Sequence, residues 1–155
     1  MSSIVISNSS PLIALKQLEL LSLLEQIFGS ILVPPAVVKE VKPTVTLPPW
    51  ITEQALSQVI GSQILATSLG AGESEALSLA LELKASLLIL DERPARRLAG
   101  ALGIPVMGTL GLLLKAKSIG LIFKLKPQLE ALLQHNFRIS PQLYEQVLKS
   151  AGELS

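Results

Sequence analysis

The sequence contains no cysteine, which excludes disulfide bonds, thiolate zinc sites and a cysteine nucleophile. Only one histidine is present, His135, and it lies far along the chain from the other candidate polar residues. A serine protease-like triad is therefore not expected. The absence of cysteine is typical of a reducing compartment, so we expect a cytoplasmic protein.

An excess of charge of either sign is also missing. The chain has 13 basic and 12 acidic residues, which gives a formal net charge of +1. No overall field therefore draws nucleic acid or a membrane surface toward the protein. A polyanion would have to bind at a local patch of basic side chains.

Long hydrophobic runs are absent as well, although 49% of the residues are hydrophobic and the mean hydropathy is +0.54. The longest uncharged stretches, 54–72 and 98–114, are interrupted by polar residues, glycine or proline. Neither offers the ~20 continuous apolar residues that a membrane span needs. The first 15 residues lack the basic start of a signal peptide. We expect a soluble protein with no membrane partner.

The apolar residues that are present form four short runs, which predict buried parallel strands at 4–6, 31–33, 87–90 and 104–107. Helical patterns separate these runs. This order predicts an α/β fold, a three-layer α/β/α domain with a mainly parallel central sheet. At 155 residues the chain is long enough for one domain, 1–155. Pro105 restricts the last run to an edge or a short strand.

Proline, serine and threonine indicate where the helices begin. Ser10 followed by Pro11 predicts an N-cap and a first helical residue, and Thr109 is the predicted cap of a later helix. Two short helices are expected to meet near 18–19. Residues 48–50 are predicted to form a turn, and the stretch from there to 67 has no clear pattern.

Polar residues follow the predicted strands, and ligands of parallel sheets bind beyond those carboxyl ends. Asp91 is the only aspartate in the chain and directly follows the run 87–90. Its short side chain is positioned closely by the strand, which favours a functional role. The alternative is that Asp91 caps the next helix.

Two glutamates are expected near the same edge. Glu40 lies late in the helix after the second strand, and Glu73 begins the helix before the third. Together with Asp91 they could form an oxygen-ligand site for a hard divalent cation. The alternative for each glutamate is a solvated position on a helix surface.

Several segments in this order resemble the PIN-domain superfamily, and in particular a prokaryotic PIN-like family related to VapC-type toxin ribonucleases. They are Ser-Asn-Ser-Ser-Pro-Leu at 7–12, Val-Pro-Pro-Ala-Val-Val-Lys-Glu-Val at 33–41, Leu-Gly-Ala-Gly-Glu-Ser-Glu-Ala at 69–76, Leu-Asp-Glu at 90–92, Gly-Thr-Leu-Gly at 108–111 and Phe-Arg-Ile-Ser at 137–140. The resemblance extends over nearly the whole chain.

The resemblance implies a ribonuclease that depends on Mg²⁺ or Mn²⁺ and uses about four acids at the carboxyl edge of the sheet. The four positions fall on Asn8, Glu40, Glu73 and Asp91, so the first acid is replaced by an amide. Loss of one negative charge predicts weak metal binding and weakened activity. The alternative is a catalytically silent PIN-like module for binding or regulation. The resemblance also implies RNA as substrate, an antitoxin protein as partner and a homodimer.

Basic residues beside the acids are candidates for contacts with RNA phosphates. Arg93 and Arg96 follow Asp91, and Lys39 precedes Glu40. Arg97 is explained equally well by a solvated helix face. The five aromatic residues do not cluster with these bases in the sequence, so stacking on RNA bases is not expected. The apolar runs 20–24 and 110–114 are expected to form a surface patch that a second copy or an antitoxin would cover.

Overall fold

A computed structural model describes residues 3–154 of the chain. Its centre is a five-stranded sheet in which every pair of neighbouring strands is parallel, in the order β3-β2-β1-β4-β5. The strands are β1 (Val5–Ser7), β2 (Ile31–Val33), β3 (Ile51–Glu53), β4 (Leu87–Ile89) and β5 (Val106–Met107).

Helices occupy most of the chain between and after the strands. In the described residues they are α1 (Ser9–Gln17), α2 (Leu23–Phe28), α3 (Pro35–Val41), α4 (Ile60–Leu65), α5 (Ala71–Leu83), α6 (Arg93–Ala101), α7 (Thr109–Ser118), α8 (Lys126–Gln134) and α9 (Pro141–Ser150). None of them has the length and apolar content that crossing a bilayer requires.

Alternate strand residues point to opposite faces of the sheet and build two separate cores. Val5 and Ile89 belong to a core with α1, α2, α3, α7, α8 and α9. Ile6 and Leu88 belong to a smaller core with α5 and α6. Helices therefore cover both faces, which confirms the predicted three-layer α/β/α fold.

The strand β3 is absent from the sequence-based prediction. It pairs with β2 in register, Ile31 opposite Ile51. Only Ile51 of this edge strand is buried, so it lacks the apolar run that identifies the inner strands. The prediction for β5 is confirmed, because it is a two-residue strand at the opposite edge.

Two helices begin earlier than their predicted caps, α1 by two positions and α7 by one. Asn8 is the N-cap of α1 and lies in an extended conformation, so Ser10 is inside the first turn. Gly108 is the N-cap of α7, and Thr109 is its first residue. In both places the strand passes into the helix through a single residue, which leaves no room for a longer loop.

The two apolar runs expected to form surface patches are largely turned inward. Within 20–24 and 110–114, Leu23, Leu24, Leu112 and Leu113 are buried, and the other leucines are partly buried against the same core. Exposed aliphatic side chains occur instead on and beside α4, where Val59, Ile60 and Ile64 are 56%, 66% and 65% exposed.

Near its C-terminus the chain is fastened to the rest of the fold by an ion pair. Lys117 Nζ lies 2.6 Å from Glu153 Oε2. The same carboxylate accepts hydrogen bonds from the backbone N–H groups of Leu125 and Lys126, at the start of α8. We call these four residues the C-terminal clasp. Its hydrogen bonds hold the pKa of Glu153 at about 2, below its usual range and against the effect of burial.

Candidate active site at the carboxyl edge of the sheet

The strand order reverses direction between β1 and β4, because the chain builds β2 and β3 on one side and β5 on the other. Parallel α/β sheets bind ligands in the crevice beyond such a switch point. Asn8 follows β1 and donates its backbone N–H to Ile89 O of β4 at 2.9 Å. Asp91 lies two residues after Ile89. The topology therefore brings these two predicted site residues to the switch point.

The Asn8 side chain is buried and incompletely bonded. Asn8 is 2% exposed, and its Oδ1 has no hydrogen-bond partner among the described residues. It occupies the N-cap of α1 yet makes no capping hydrogen bond. A buried carbonyl oxygen without a partner costs roughly 1–3 kcal/mol. Such an atom is a natural acceptor for a donor or a cation.

Asp91 is held by the first residue of α7. The Thr109 backbone N–H donates to Asp91 Oδ1 and the Thr109 hydroxyl donates to Asp91 Oδ2, both at 2.7 Å. Asp91 therefore does not cap the helix that follows it. Burial raises the pKa of Asp91 above its usual value, while the two bonds from Thr109 and the nearby Arg96 oppose that rise. The raised pKa means that burial is the stronger influence.

Arg96 approaches the Asp91 carboxylate across Gly108. A side-chain β-carbon at Gly108 would lie 2.6 Å from Arg96 Nη1 and 2.9 Å from Asp91 Oδ1. Only glycine leaves space for both groups at this position. The guanidinium and the carboxylate therefore share one small region at the sheet edge.

Glu40 lies on the other side of Asn8. Its Oε1 accepts a hydrogen bond of 2.8 Å from the Ser9 hydroxyl. The same oxygen packs so closely on Gly72 that a β-carbon there would collide with it. Ser9 and Gly72 thus fix Glu40 between the starts of α1 and α5, although the residue as a whole stays exposed.

Two acids near the start of α5 have different roles. Glu73 Oε1 accepts a hydrogen bond of 2.9 Å from the Gly70 backbone N–H, so it caps its own helix. Glu75 Oε1 accepts one of 2.8 Å from the Ala36 backbone N–H at the start of α3. Glu75 thereby ties α5 to the helix that carries Glu40. This tie is not apparent from the sequence, where Glu75 is one of several glutamates.

Within residues 3–154, no three Asp, Glu, His or Cys side chains form a group that could hold a metal ion. Glu40, Glu73 and Asp91 do not form such a group in this arrangement, and each accepts a hydrogen bond from a different residue: Ser9, Gly70 and Thr109 respectively. In chemical type the candidate ligands still fit a hard divalent cation, because all are oxygens. The unpartnered Asn8 Oδ1 adds to that fit, as it is buried beside the end of β4.

A groove of about 1000 Å³ extends away from Asp91 and Ser10. Its side chains include Asp91 and Glu92 from the end of β4, Arg93 and Arg96 from α6, and Phe137 and Arg138 from the α8–α9 connection. Met107, Leu110 and Leu114 form part of its apolar surface. We call this feature the Asp91 groove.

The position of Phe137 corrects the expectation that no aromatic residue accompanies the arginines. The α8–α9 connection, distant in sequence, brings Phe137 and Arg138 to the groove that Arg93 and Arg96 line. Lys39 is exposed on α3 next to Glu40 and is not part of the groove lining. Sequence reasoning missed Arg138 and also Ser9, because no local pattern connects either residue with an acid.

Comparison with known proteins places this arrangement in a family. A family model described as a PIN domain matches residues 4–153. Neither the curated proteins nor the solved structures give a match. The family match extends over both polar strand ends, the helices that carry Glu40 and Glu73, and the C-terminal helices. On this evidence, the chain belongs to the PIN-domain family.

Proposed function

We propose that this chain is a metal-dependent endoribonuclease of the PIN type whose activity is weakened by Asn8. The observation that carries the proposal is the position of two residues at the ends of the neighbouring strands β1 and β4. They are Asn8, whose buried Oδ1 has no partner among residues 3–154, and Asp91. Asn8, Glu40, Glu73 and Asp91 would hold Mg²⁺ or Mn²⁺. When bound, such a cation activates water and stabilises charge on phosphodiester oxygens.

The protein groups have separate tasks in this proposal. The two hydrogen bonds from Thr109 keep the Asp91 carboxylate in a single orientation and favour its charged form. The hydroxyl of Ser9 donates to Glu40 Oε1 and thereby orients the Glu40 carboxylate. Arg93 and Arg96 would bind backbone phosphates, which positions RNA without reading its sequence. Lys39 would make a further phosphate contact beside Glu40.

The test is an Asn8→Asp substitution, which restores a carboxylate at the first position. We expect the natural protein to bind Mn²⁺ weakly and to cleave single-stranded RNA slowly. Asn8→Asp should strengthen both properties. A cation that binds only the folded state raises thermal stability, by about 2.7 kcal/mol at a hundredfold excess over Kd. Melting curves with and without Mn²⁺ and an RNA cleavage assay measure the two effects.

The matched control is Gln26→Glu, which makes the same amide-to-carboxylate change at an exposed position of α2. It should leave Mn²⁺ binding and cleavage unchanged. If Asn8→Asp has no more effect than Gln26→Glu, Asn8 is not a metal position. Cleavage that persists in excess EDTA would refute metal dependence.

The second candidate function is a catalytically silent PIN domain that acts by binding. It is favoured by the missing group of three ligands in the described residues and by Arg96, whose positive charge faces Asp91. A silent domain would bind RNA or a protein but would not cleave even as Asn8→Asp in Mn²⁺. The same two assays therefore separate the candidates.

We also propose that two copies associate. The 16.5 kDa chain exposes 8686 Å², against about 7,500 Å² for a folded monomer of that mass. The cluster of Val59, Ile60 and Ile64 would be covered if α4 packed on its counterpart in a symmetric dimer. Light scattering should give a dimer, and Ile64→Asp should give a monomer. A monomeric natural protein at tens of micromolar contradicts the dimer.

The cellular role that we propose is that of a cytoplasmic toxin paired with an antitoxin, built on a single PIN domain over 1–155. Expression of the chain should slow growth of its host, and more strongly as Asn8→Asp. A neighbouring gene for a small DNA-binding protein should relieve the effect when expressed with it. Growth that is unaffected by either version would contradict a toxin.

A further inference from the structure

The Asp91 groove has a wall that the predicted phosphate contacts do not include. This wall is the α8–α9 connection, where Asn136, two residues after the end of α8, has a positive φ of 66°. Asparagine is one of the few residues that tolerates this left-handed conformation. The turn directs the chain so that the next two residues, Phe137 and Arg138, line the groove.

The groove combines a basic rim with an apolar surface. Its three basic groups are Arg93, Arg96 and Arg138, and its two acids are Asp91 and Glu92 at one end. Both oxygens of Asp91 already accept hydrogen bonds from Thr109. The lining thus carries three arginines against two acids, and Arg138 comes from a segment remote in sequence from both acids. This excess of positive charge suits a chain of phosphates.

The apolar part decides which kind of polyanion fits. Phe137, Met107, Leu110 and Leu114 offer aromatic and aliphatic surface within the groove. The bases of a duplex are stacked inside it and cannot reach such a surface, whereas the bases of a single strand can. A purely acidic peptide such as polyglutamate would use the arginines but has no apolar side chain to place on this surface.

From this arrangement we infer that the Asp91 groove binds single-stranded RNA, with Arg138 as a phosphate-binding residue and Phe137 as a surface for a base. The inference rests on the proposed function, since it supplies the substrate path to that site. Its volume of about 1000 Å³ lies at the upper limit of the roughly 300–1,000 Å³ usual for ligand pockets. The groove therefore has room for an extended segment that leads to Asp91.

The test measures binding rather than cleavage. A short fluorescent oligouridylate is titrated with the full chain in EDTA, and anisotropy gives Kd over a range of salt concentrations. Arg138→Gln should weaken binding about tenfold, as expected for loss of one charge-assisted contact. It should also reduce the slope of log K against log salt by about 0.7, the value for one phosphate contact on a single strand.

The matched control is Arg97→Gln, which removes the same charge from α6 at an exposed position outside the groove lining. It should change neither Kd nor the salt slope by more than a small fraction of the Arg138→Gln effect. Arg138→Lys keeps the charge and should retain the slope. If Arg97→Gln and Arg138→Gln weaken binding equally, RNA affinity depends only on the net charge of the protein and not on the position of Arg138. That result overturns the inference.

A separate variant tests the apolar contact. Phe137→Leu retains much of the side-chain volume that packs against the core but removes the aromatic ring. It should weaken oligouridylate binding several-fold, within the roughly 1–3 kcal/mol that stacking on one base contributes, and leave the salt slope unchanged. A melting curve checks that the variant folds. Unchanged affinity in a folded Phe137→Leu protein overturns the base-contact part of the inference.

The inference and the proposed ribonuclease fail in different ways. If RNA binds through Arg138 but is not cleaved in Mn²⁺, RNA binding in the Asp91 groove is supported and the proposed ribonuclease activity is refuted. If Arg138→Gln cleaves RNA with an unchanged KM, the ribonuclease activity is supported and RNA binding in the Asp91 groove is refuted. If polyglutamate binds in an Arg138-dependent manner and oligouridylate does not, the groove serves an acidic protein, and the inference is overturned.

Discussion

Asp91 and Glu153 are both partly buried carboxylates that accept backbone hydrogen bonds, yet the fold shifts their pKa values in opposite directions. Glu153 receives two backbone N–H groups and the Lys117 ammonium, and its pKa falls to about 2. Asp91 receives one backbone N–H and one hydroxyl, and burial raises its pKa. At Glu153 three donors, one of them a cation, outweigh desolvation, whereas at Asp91 two neutral donors and the nearby Arg96 do not.

The difference separates a structural carboxylate from one available for chemistry. Ionised Glu153 stabilises the fold, because its charged form is preferred over that in the unfolded chain. Ionisation of Asp91 has the opposite effect and costs folding free energy as the pH rises through its folded pKa. A carboxylate whose charge is not fully compensated attracts a proton, a cation or a positively charged ligand. Asp91 therefore belongs to a site, and Glu153 belongs to the C-terminal clasp.

Of the substitutions that test this difference, Asp91→Ala is expected to have the largest effect. It removes the carboxylate at the switch point, and we expect RNA cleavage to fall at least about a hundredfold, because the proposed cation loses a ligand and water is no longer activated. The rate is measured in Mn²⁺ for the natural chain and for Asn8→Asp. The control is Glu92→Ala, which removes the adjacent exposed carboxylate and should have a much smaller effect. Equal rates for Asp91→Ala and the parent would assign the activity to other residues.

A smaller effect, on stability alone, is expected from Glu153→Gln. It leaves the Lys117 ammonium, which is 22% exposed, without its counter-ion. We expect a loss of about 1–2 kcal/mol in the free energy of unfolding, equivalent to roughly 3–6 °C in Tm. Cleavage by the folded protein should not change. The control is Glu145→Gln, at an exposed position of α9. An equal loss of stability in this variant would refute a stabilising role of the C-terminal clasp.

The contribution of Glu153 should also disappear in acid. Its pKa is 4.5 in the unfolded reference and about 2 in the fold, so its stabilisation is present above pH 4.5 and is lost as the pH falls toward 2. The difference in urea midpoint between the natural chain and Glu153→Gln should therefore shrink over this range. A difference that stays constant from pH 5.5 to the acid limit would show that ionisation of Glu153 contributes nothing.

The substitution with the smallest expected effect, Thr109→Val, tests whether the pKa of Asp91 controls the cleavage rate. Thr109→Val removes only the hydroxyl that donates to Asp91 Oδ2 and should raise the pKa of Asp91 further. The acidic limb of the cleavage rate against pH should move to higher pH, and Thr109→Ser should restore it. An unmoved limb in a folded Thr109→Val protein would mean that Asp91 does not limit the rate at low pH.

The inner strands and the positions of the acids could be predicted because they depend on local patterns. Buried parallel strands need uninterrupted apolar runs, and the chain has them at β1, β2 and β4, while the run at the edge strand β5 is shorter and preceded by Pro105. Asp91, Glu40 and Glu73 lie at the strand and helix ends where the sequence placed them. The strand β3 could not be predicted, since one buried residue on an edge strand leaves no pattern.

The sequence by itself determined the α/β class, for which residue type and periodicity are sufficient. It also placed an amide, Asn8, directly after the first strand. Only the tertiary structure decided which neighbours each carboxylate has. Thr109, Ser9 and Lys117 are separated from their acid partners by 18, 31 and 36 residues, so no local pattern connects them. The ionisation of a carboxylate depends on its burial and its nearest donors, and these are fixed when the helices and strands pack together.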